Sequence, residues 1–292
     1  VALVGAGRAG GTLAVLLGAA GWRVRAICSR GAARARTVAR RVGVVSASRP
    51  LTTIRPERAA AAAEIILLAV PDDALAGVAR RLGLAGSRAD GAVYLHLSGA
   101  APLTVLDPLR RPGAHTGSLH PLAVLPSAKP PPDLLCGAGF AVEGDPTALA
   151  CARRLARSLG GFPFTLPAEG RAAYHLAASL VANDTVALFQ LALEQAQLAG
   201  LPPATARMAL AHLLSGVARI LTGERPARAL TGPVSRGDVK TVQQHLEAAR
   251  RGRPETRHLH LLLSRVLLRT ARDAGRVSPA AARRMERLLD ST

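Results

Sequence analysis

Short apolar runs alternate with helical periodicity through the first half of the chain. Val1 to Val4, Val24 to Cys28, Ile65 to Val70 and Ala92 to Leu97 each read as a buried strand. Between them, Gly10 to Ala20, Ala32 to Arg41 and Asp73 to Leu82 repeat apolar residues at helical spacing, while 42–58 gives no clear pattern. Strands separated by helices predict βαβ units, hence a parallel sheet with helices on both faces. A proline-rich loop follows over Pro126 to Asp133, then a strand at Phe140 to Val142. Asp145-Pro146 is a helix start, with Asp able to cap and Pro suited to the first turn, and that helix is expected to end at Gly160-Gly161. Phe162 to Leu166 is the last predicted strand. From about Glu169 the strand pattern disappears. Helices are expected over Arg171 to Ala199, Ala204 to Leu221, Val239 to Arg250, His258 to Ala274 and Pro279 to Leu289. The prediction is an α/β chain, with a parallel-sheet domain over 1–167 and an all-helical domain over 168–292.

Composition supports a folded chain with an aliphatic core. Of 292 residues, 49% are hydrophobic and 20% charged, so a sizeable core is expected, but only 2% are aromatic. No unbroken apolar run approaches the roughly 18 residues that span a bilayer, so no membrane partner is expected. The apolar stretch Thr12 to Trp22 follows a glycine-rich turn rather than a basic segment, unlike a signal peptide. The chain opens at Val1 without Met, as expected of a sequence lacking a residue or two upstream. Cys28, Cys136 and Cys151 form no C-x-x-C pair, which argues against disulfides and metal and for the reducing cytoplasm. The formal charge of +19 raises a nucleic-acid partner. All but two of the 38 basic residues are Arg, however, scattered over many segments with almost no aromatics for base stacking. Nucleic acid is therefore not expected, although the charge attracts phosphates and other anionic ligands.

The most informative stretch is Val1-Ala-Leu-Val-Gly5-Ala-Gly7-Arg-Ala-Gly10. A lone G-x-G-x-x-G is weak, but here it follows a buried strand, opens a helix and precedes a second strand, the context of a Rossmann-type dinucleotide site. Gly5 permits a tight turn, Gly7 lets the backbone approach a pyrophosphate, and Gly10 lets helix and strand pack closely. The cofactor residues of this loop are expected to be Gly5, Gly7, Arg8, Ala9 and Gly10, with the helix N-terminus facing the phosphates. An NAD site places a carboxylate at the end of the second strand, and this chain has none before Glu57. The strand instead ends in Cys28-Ser29-Arg30, with Arg34 and Arg36 nearby. Ser29 and Arg30 suit a 2′-phosphate, so NADP(H) is expected over NAD(H).

Other strand ends carry candidate chemistry, since ligands of open α/β sheets bind at the carboxyl edge. Val70-Pro71 would border the nicotinamide ribose, or simply start a helix. Ser98-Gly99 closes the strand at Ala92 to Leu97. His120, held extended by Pro121, could donate a proton to a substrate or be structural. Arg171, His175 and Ser179 fall at i, i+4 and i+8 of one helix, and Asn183 roughly continues that face. Polar residues on an Ala/Leu/Val helix face either a cleft or solvent. Thr231-Gly-Pro-Val-Ser-Arg236-Gly-Asp238 joins two helices. Thr231, Arg236 and Asp238 are candidates for binding a substrate carboxylate, unless Arg236 and Asp238 only pair with each other.

Taken with Ala69-Val-Pro-Asp72, His96-Leu-Ser-Gly99, Gly117-Ser-Leu-His-Pro121, and Tyr174-His175 with Asn183, these strings resemble NAD(P) oxidoreductases that pair a Rossmann-like domain with C-terminal domain of unknown function 2520. More distantly, the layout is similar to ketopantoate reductase, pyrroline-carboxylate reductase and the 6-phosphogluconate dehydrogenase group. The resemblance implies a cleft between the domains as active site and a homodimer formed through the helical domain. In ketopantoate reductase-like enzymes a Lys, with an Asn four residues on, lines the cleft helix. The matching spacing here holds Arg171 and His175, and Arg does not readily act as an acid. The expected activity is therefore hydride transfer between NADP(H) and a C=O or C=N carbon of a small, anionic substrate. His175 or His120 would supply the proton, and Arg171 or Arg236 would hold a carboxylate. The alternative is a non-catalytic NADP-binding sensor or scaffold.

Overall fold

The structure, a computed structural model, describes residues 1–46, 49–86, 90–126 and 129–291. Parts of the unassigned stretch 42–58 and of the proline-rich loop therefore lie outside the described residues. Eight strands form one sheet: β1 (Ala2–Val4), β2 (Ala26–Cys28), β3 (Leu51–Thr53), β4 (Ile65–Leu68), β5 (Ala92–His96), β6 (Ala114–Leu122), β7 (Gly139–Gly144) and β8 (Phe162–Thr165). Their order is β3-β2-β1-β4-β5-β6-β7-β8. All neighbours pair parallel except the antiparallel β6 and β7. The first six strands thus follow the doubly wound order, and the order reverses between β1 and β4.

Period-two alternation feeds two cores, one on each face of the sheet. Leu3, Ile27, Leu67, Leu95, Leu119 and Val142 meet the buried residues of α1 (Arg8–Ala19), α2 (Ala32–Val45) and α5 (Pro146–Ser158). Ala2, Val4, Ala26, Ile66, Leu68 and Tyr94 meet α3 (Pro56–Ala61), α4 (Asp72–Leu84) and a 3-10 helix at Leu103–Leu109. Helices on both faces are why Ile65–Leu68 is apolar at every position and buried throughout.

Two expectations are extended here. The unassigned 42–58 contains β3 and the start of α3, and 114–122, read only as a string of site residues, is the longest strand among the described residues. Its Gly, Ser, His and Pro residues mask the strand signal.

Helices follow β8: α6 (Arg171–Leu198), α7 (Pro203–Gly223), the short α8 (Pro226–Ala229) and α9 (Pro233–Arg236), α10 (Val239–Ala249), α11 (Pro254–Asp273) and α12 (Pro279–Asp290). The chain divides into two compact units, 1–182 and 183–292, so the first turns of α6 group with the sheet, beyond the boundary expected at 167. In the second unit Val234, Val242, Leu246, Leu268, Ala271 and Met285 form a core of α9 to α12.

One helix bears on the membrane expectation. Helix α6 has 28 residues with a mean hydropathy of 1.5 over its best window, long and apolar enough to cross a membrane by length and composition alone. Its polar positions interrupt any unbroken apolar run, but Ala, Leu and Val dominate around them. Leu176, Leu180, Val181 and Val186 are all exposed.

Candidate functional site

The fingerprint loop is built by packing on two sides and open on a third. Gly5 has φ of +109°, and a Cβ there would lie 2.2 Å from the Ala69 carbonyl oxygen at the end of β4. At Gly10 a Cβ would lie 1.9 Å from the Gly5 carbonyl oxygen. A Cβ at Gly7 would meet nothing within 4 Å. Gly5 and Gly10 thus hold the turn shut against the sheet, while Gly7 faces open space at the N-terminus of α1. No side chain caps that helix, and its first turn carries no acidic residue. These features fit a dinucleotide pyrophosphate, because the amide groups of the first turn lack partners and the dipole favours an anion.

Beside the loop, a cavity of about 210 Å³ is lined by Gly7, Arg8, Thr12, Arg34, Thr37 and Arg41, among others. Arg34 and Arg41 come from α2, whose helical spacing turns them towards α1. The Pro126 carbonyl closes one side by accepting from Thr12 Oγ1 at 2.8 Å. Ser29 sits at the end of β2, its N–H donating to the Thr53 carbonyl, and Arg30 is exposed beyond it. Arg30 does not line the cavity, whereas Arg34 does. The carboxylate of Glu57 is paired with Arg81 on α4, so it is engaged there rather than presented to a ribose. Val70 and Pro71 form an ordinary helix entry, with Pro71 at the N-cap of α4.

A second cluster gathers at the carboxyl end of β5 and β6. His120 lies on β6 two residues past the position paired with His96. A Cβ on Gly99 would lie 2.8 Å from the His120 ring and 2.9 Å from the His175 ring, so only glycine lets both imidazoles close on this turn. A 2.7 Å hydrogen bond joins His120 Nδ1 to the Tyr174 hydroxyl. The Tyr174 ring meets His120 edge-on, with centroids 5.6 Å apart, and Phe164 of β8 at 6.0 Å. Burial, then His175 and Arg171, push His120 down to about 4, against the pull of Asp72. Burial, then Arg171 and His120, push His96 down to about 3, against the pull of the Ser98 backbone. Both imidazoles are therefore neutral at pH 7.

Arg171 occupies a different role from the one expected. It is only 6% exposed and forms an ion pair with Glu143 of β7. It also donates to the Ser98 carbonyl and Ser118 Oγ, each at 3.4 Å. Its guanidinium is committed to tying α6 to three strand ends, not held out for a substrate carboxylate. The Ser98 hydroxyl likewise serves its own turn, accepting from the amides of Ala100 and Ala101. His175 is exposed on the next turn of α6, and Asn183 is exposed two turns further on.

The expected substrate string of the second unit performs local structural work. Arg236 donates to the Thr231 carbonyl at 2.6 Å. Asp238 caps α10, accepting from the Thr241 amide at 3.1 Å and the Thr241 hydroxyl at 2.6 Å. The Arg236–Asp238 pairing left open by the sequence survives as an electrostatic one, in which Arg236 adds to the Thr241 hydrogen bonds in holding the Asp238 carboxyl low. Sequence reasoning missed Glu143, Ser118 and the Tyr174 hydroxyl as site groups. Their signal was weak because each partner lies far along the chain. Among the described residues no three His, Cys, Asp or Glu side chains gather as a metal would require.

Comparisons with known proteins agree with this architecture. No curated protein matches the sequence. A provisionally assigned NADP oxidoreductase from Bacteroides fragilis is 25% identical over 91% of this chain and 96% of its own, with a TM-score of 0.74. A pyrroline-5-carboxylate reductase from Coxiella burnetii has a similar fold, with a TM-score of 0.62, 15% identity and coverage of 98% and 97%. So does an imine reductase from Streptomyces aurantiacus, with a TM-score of 0.58, 20% identity and coverage of 97% and 98%. Residues 1–121 match the model of the Rossmann-like domain, and residues 138–266 match that of the domain of unknown function DUF2520. The chain therefore carries a Rossmann-like domain followed by a DUF2520 domain.

Proposed function

We propose that this protein is an NADP(H)-dependent oxidoreductase that reduces a C=O or C=N group of a small molecule. The observation that carries the reading is the open face of Gly7 at the uncapped N-terminus of α1, where strand order reverses between β1 and β4. The Bacteroides fragilis neighbour is named for NADP, and two other neighbours are named for C=N compounds, a pyrroline and an imine.

Gly5 to Gly10 would hold the pyrophosphate, and Ser29, Arg30 and Arg34 the 2′-phosphate. The nicotinamide, when bound, supplies or accepts the hydride. The protein's own part is at the carboxyl edge of β5 and β6. There Gly99, His120, Tyr174 and His175 border the substrate and one of them passes a proton. Arg171 fixes the start of α6 over this edge through Glu143. The substrate class is a carbonyl or imine. The anionic character expected from Arg171 and Arg236 gains no support, since both are engaged within the protein.

A homodimer, in the cytoplasm, fits the remaining surface. Val186, Met208, Leu213, Val217 and Ile220 are exposed on α6 and α7, a density of apolar residues that water-facing helices avoid unless a partner covers them. A second copy is preferred to a bilayer, because the exposed polar residues His175, Asn183 and Asp184 interrupt the apolar surface of α6.

Calorimetry with NADPH and NADH tests the cofactor assignment. The wild type is expected to prefer NADPH. Arg34→Glu should weaken NADPH by about tenfold or more, the value of one charge-assisted hydrogen bond, and leave NADH almost unchanged. Equal affinity of the wild type for both cofactors would refute the 2′-phosphate reading.

A further inference from the structure

We propose that Tyr174 is the proton donor of the site and that His120 is the residue that orients and recharges it. The inference rests on the reductase reading above and names which group carries the proton. The sequence left His120 and His175 as candidates.

The geometry favours the phenol. Tyr174 is half-buried on the first turn of α6, clamped edge-on between the rings of His120 and Phe164. Its hydroxyl is 2.7 Å from His120 Nδ1. His120 in turn is fixed by contact with Gly99, which also lies against His175. The phenol oxygen is therefore presented at the same strand ends as Ser98-Gly99. The charged and titratable groups within reach of His120 are Asp72 of α4, His96 of β5, and Arg171, Tyr174 and His175 of α6. Burial first, then His175 and the Arg171 guanidinium, make a positive charge on His120 costly. A neutral imidazole can still act as a donor through one N–H. With Nδ1–H directed at the Tyr174 oxygen, the phenolic O–H is free to point at a substrate.

The proton balance is simple. As the substrate double bond is reduced, its oxygen or nitrogen gains the π electron pair and takes the proton from Tyr174 Oη. The O–H electron pair stays on the phenolate. Burial pushes the Tyr174 phenol up, and the Arg171 guanidinium and His120 Nδ1–H work against that penalty on the phenolate. Water then returns a proton to it, directly or through the imidazole, so that His120 and Tyr174 end as they began.

The test has two readouts. The first is the nitrogen spectrum of the His120 ring in the wild type and in Tyr174→Phe, without substrate, with His120→Asn assigning the signal. Wild-type His120 is expected to stay neutral through pH 6 with Nδ1 protonated, and Tyr174→Phe to shift the Nδ1 resonance. An unchanged resonance would overturn the pair. The second is NADPH oxidation with 1-pyrroline and cyclohexanone as probes. Tyr174→Phe is expected to lower kcat by about 100-fold or more, with NADPH affinity unchanged and cooperative unfolding retained. His175→Asn is expected to lower it far less. Wild-type turnover by Tyr174→Phe, or a larger loss in His175→Asn, would overturn the proposal. A wild type that binds no NADPH refutes the reductase reading instead, and the nitrogen spectra then judge the hydrogen-bonded pair separately.

Discussion

At Glu143 a single carboxylate holds the start of α6, because the guanidinium it meets is almost wholly buried. Removing one partner of such a pair leaves an uncompensated charge. Glu143→Ala is therefore expected to lower stability by about 3 kcal/mol in urea unfolding, while Glu143→Gln, which keeps an acceptor, costs less. His96 makes the opposite case. Its ring is fully buried on β5, between β4 and β6, with no carboxylate partner among the described residues to favour its charged form. An unfolded His96 takes up a proton near 6.5, whereas the folded one resists down to about 3. Its contribution to stability is complete above pH 6.5 and is lost steadily as pH falls from there towards 3. His96→Leu is expected to flatten that acid slope and to remain at least as stable as the wild type at pH 7, read by thermal melts across pH. A steeper slope in the variant would contradict the assignment. None of this was legible in the sequence. His96 stood there as part of a family string, and Arg171 as a free cation. Burial, which decides both roles, depends on chain segments far apart in sequence.

At the scale of elements, local chemistry carried further. Asp145-Pro146 announced α5, and Asp145 indeed accepts from the amides of Thr147 and Ala148, both at 3.0 Å. It also accepts from Thr116 of β6 at 2.8 Å, so the cap joins helix to sheet. Burial opposes ionisation of Asp145, but those amide donors and His115 outweigh it and hold the carboxyl below 3.8. The stability it confers is present above that value and is lost as pH falls through the folded pKa. Asp145→Ala is expected to cost at least about 1 kcal/mol at pH 7, and less at pH 2. A cost independent of pH would contradict the charged cap. Strands β1 and β4 were readable because burial on both faces removes every polar position, and β5 because only its last residue, His96, breaks the pattern. Strand β6 was not, since it carries the polar and small residues of the site itself. Short α9 was read as a turn, since Gly232, Pro233 and Gly237 punctuate that string, and α8 was not assigned.

For the whole molecule, two claims join the units without depending on how they are arranged. The first is association. Light scattering is expected to give a dimer, and Leu213→Glu with Val217→Glu to give a monomer that still folds. A monomeric wild type at micromolar concentration would remove the proposed role of the exposed α6 and α7 residues. The second is the cofactor. Gly5 and Gly10 are required by the fold, so their substitution would confuse folding with binding. Gly7 is not, because a Cβ there meets only open space. The sequence already divided the three glycines between turn, ligand and packing, and the contacts follow that division. The decisive measurement is therefore calorimetric titration of NADPH into the wild type and into Gly7→Ala, with a melting curve for each. The wild type should bind, and Gly7→Ala should melt within about 1 kcal/mol of it yet bind at least tenfold more weakly. A folded wild type that binds neither NADPH nor NADH, or a Gly7→Ala variant that binds as the wild type does, would contradict the placement of the cofactor on this loop.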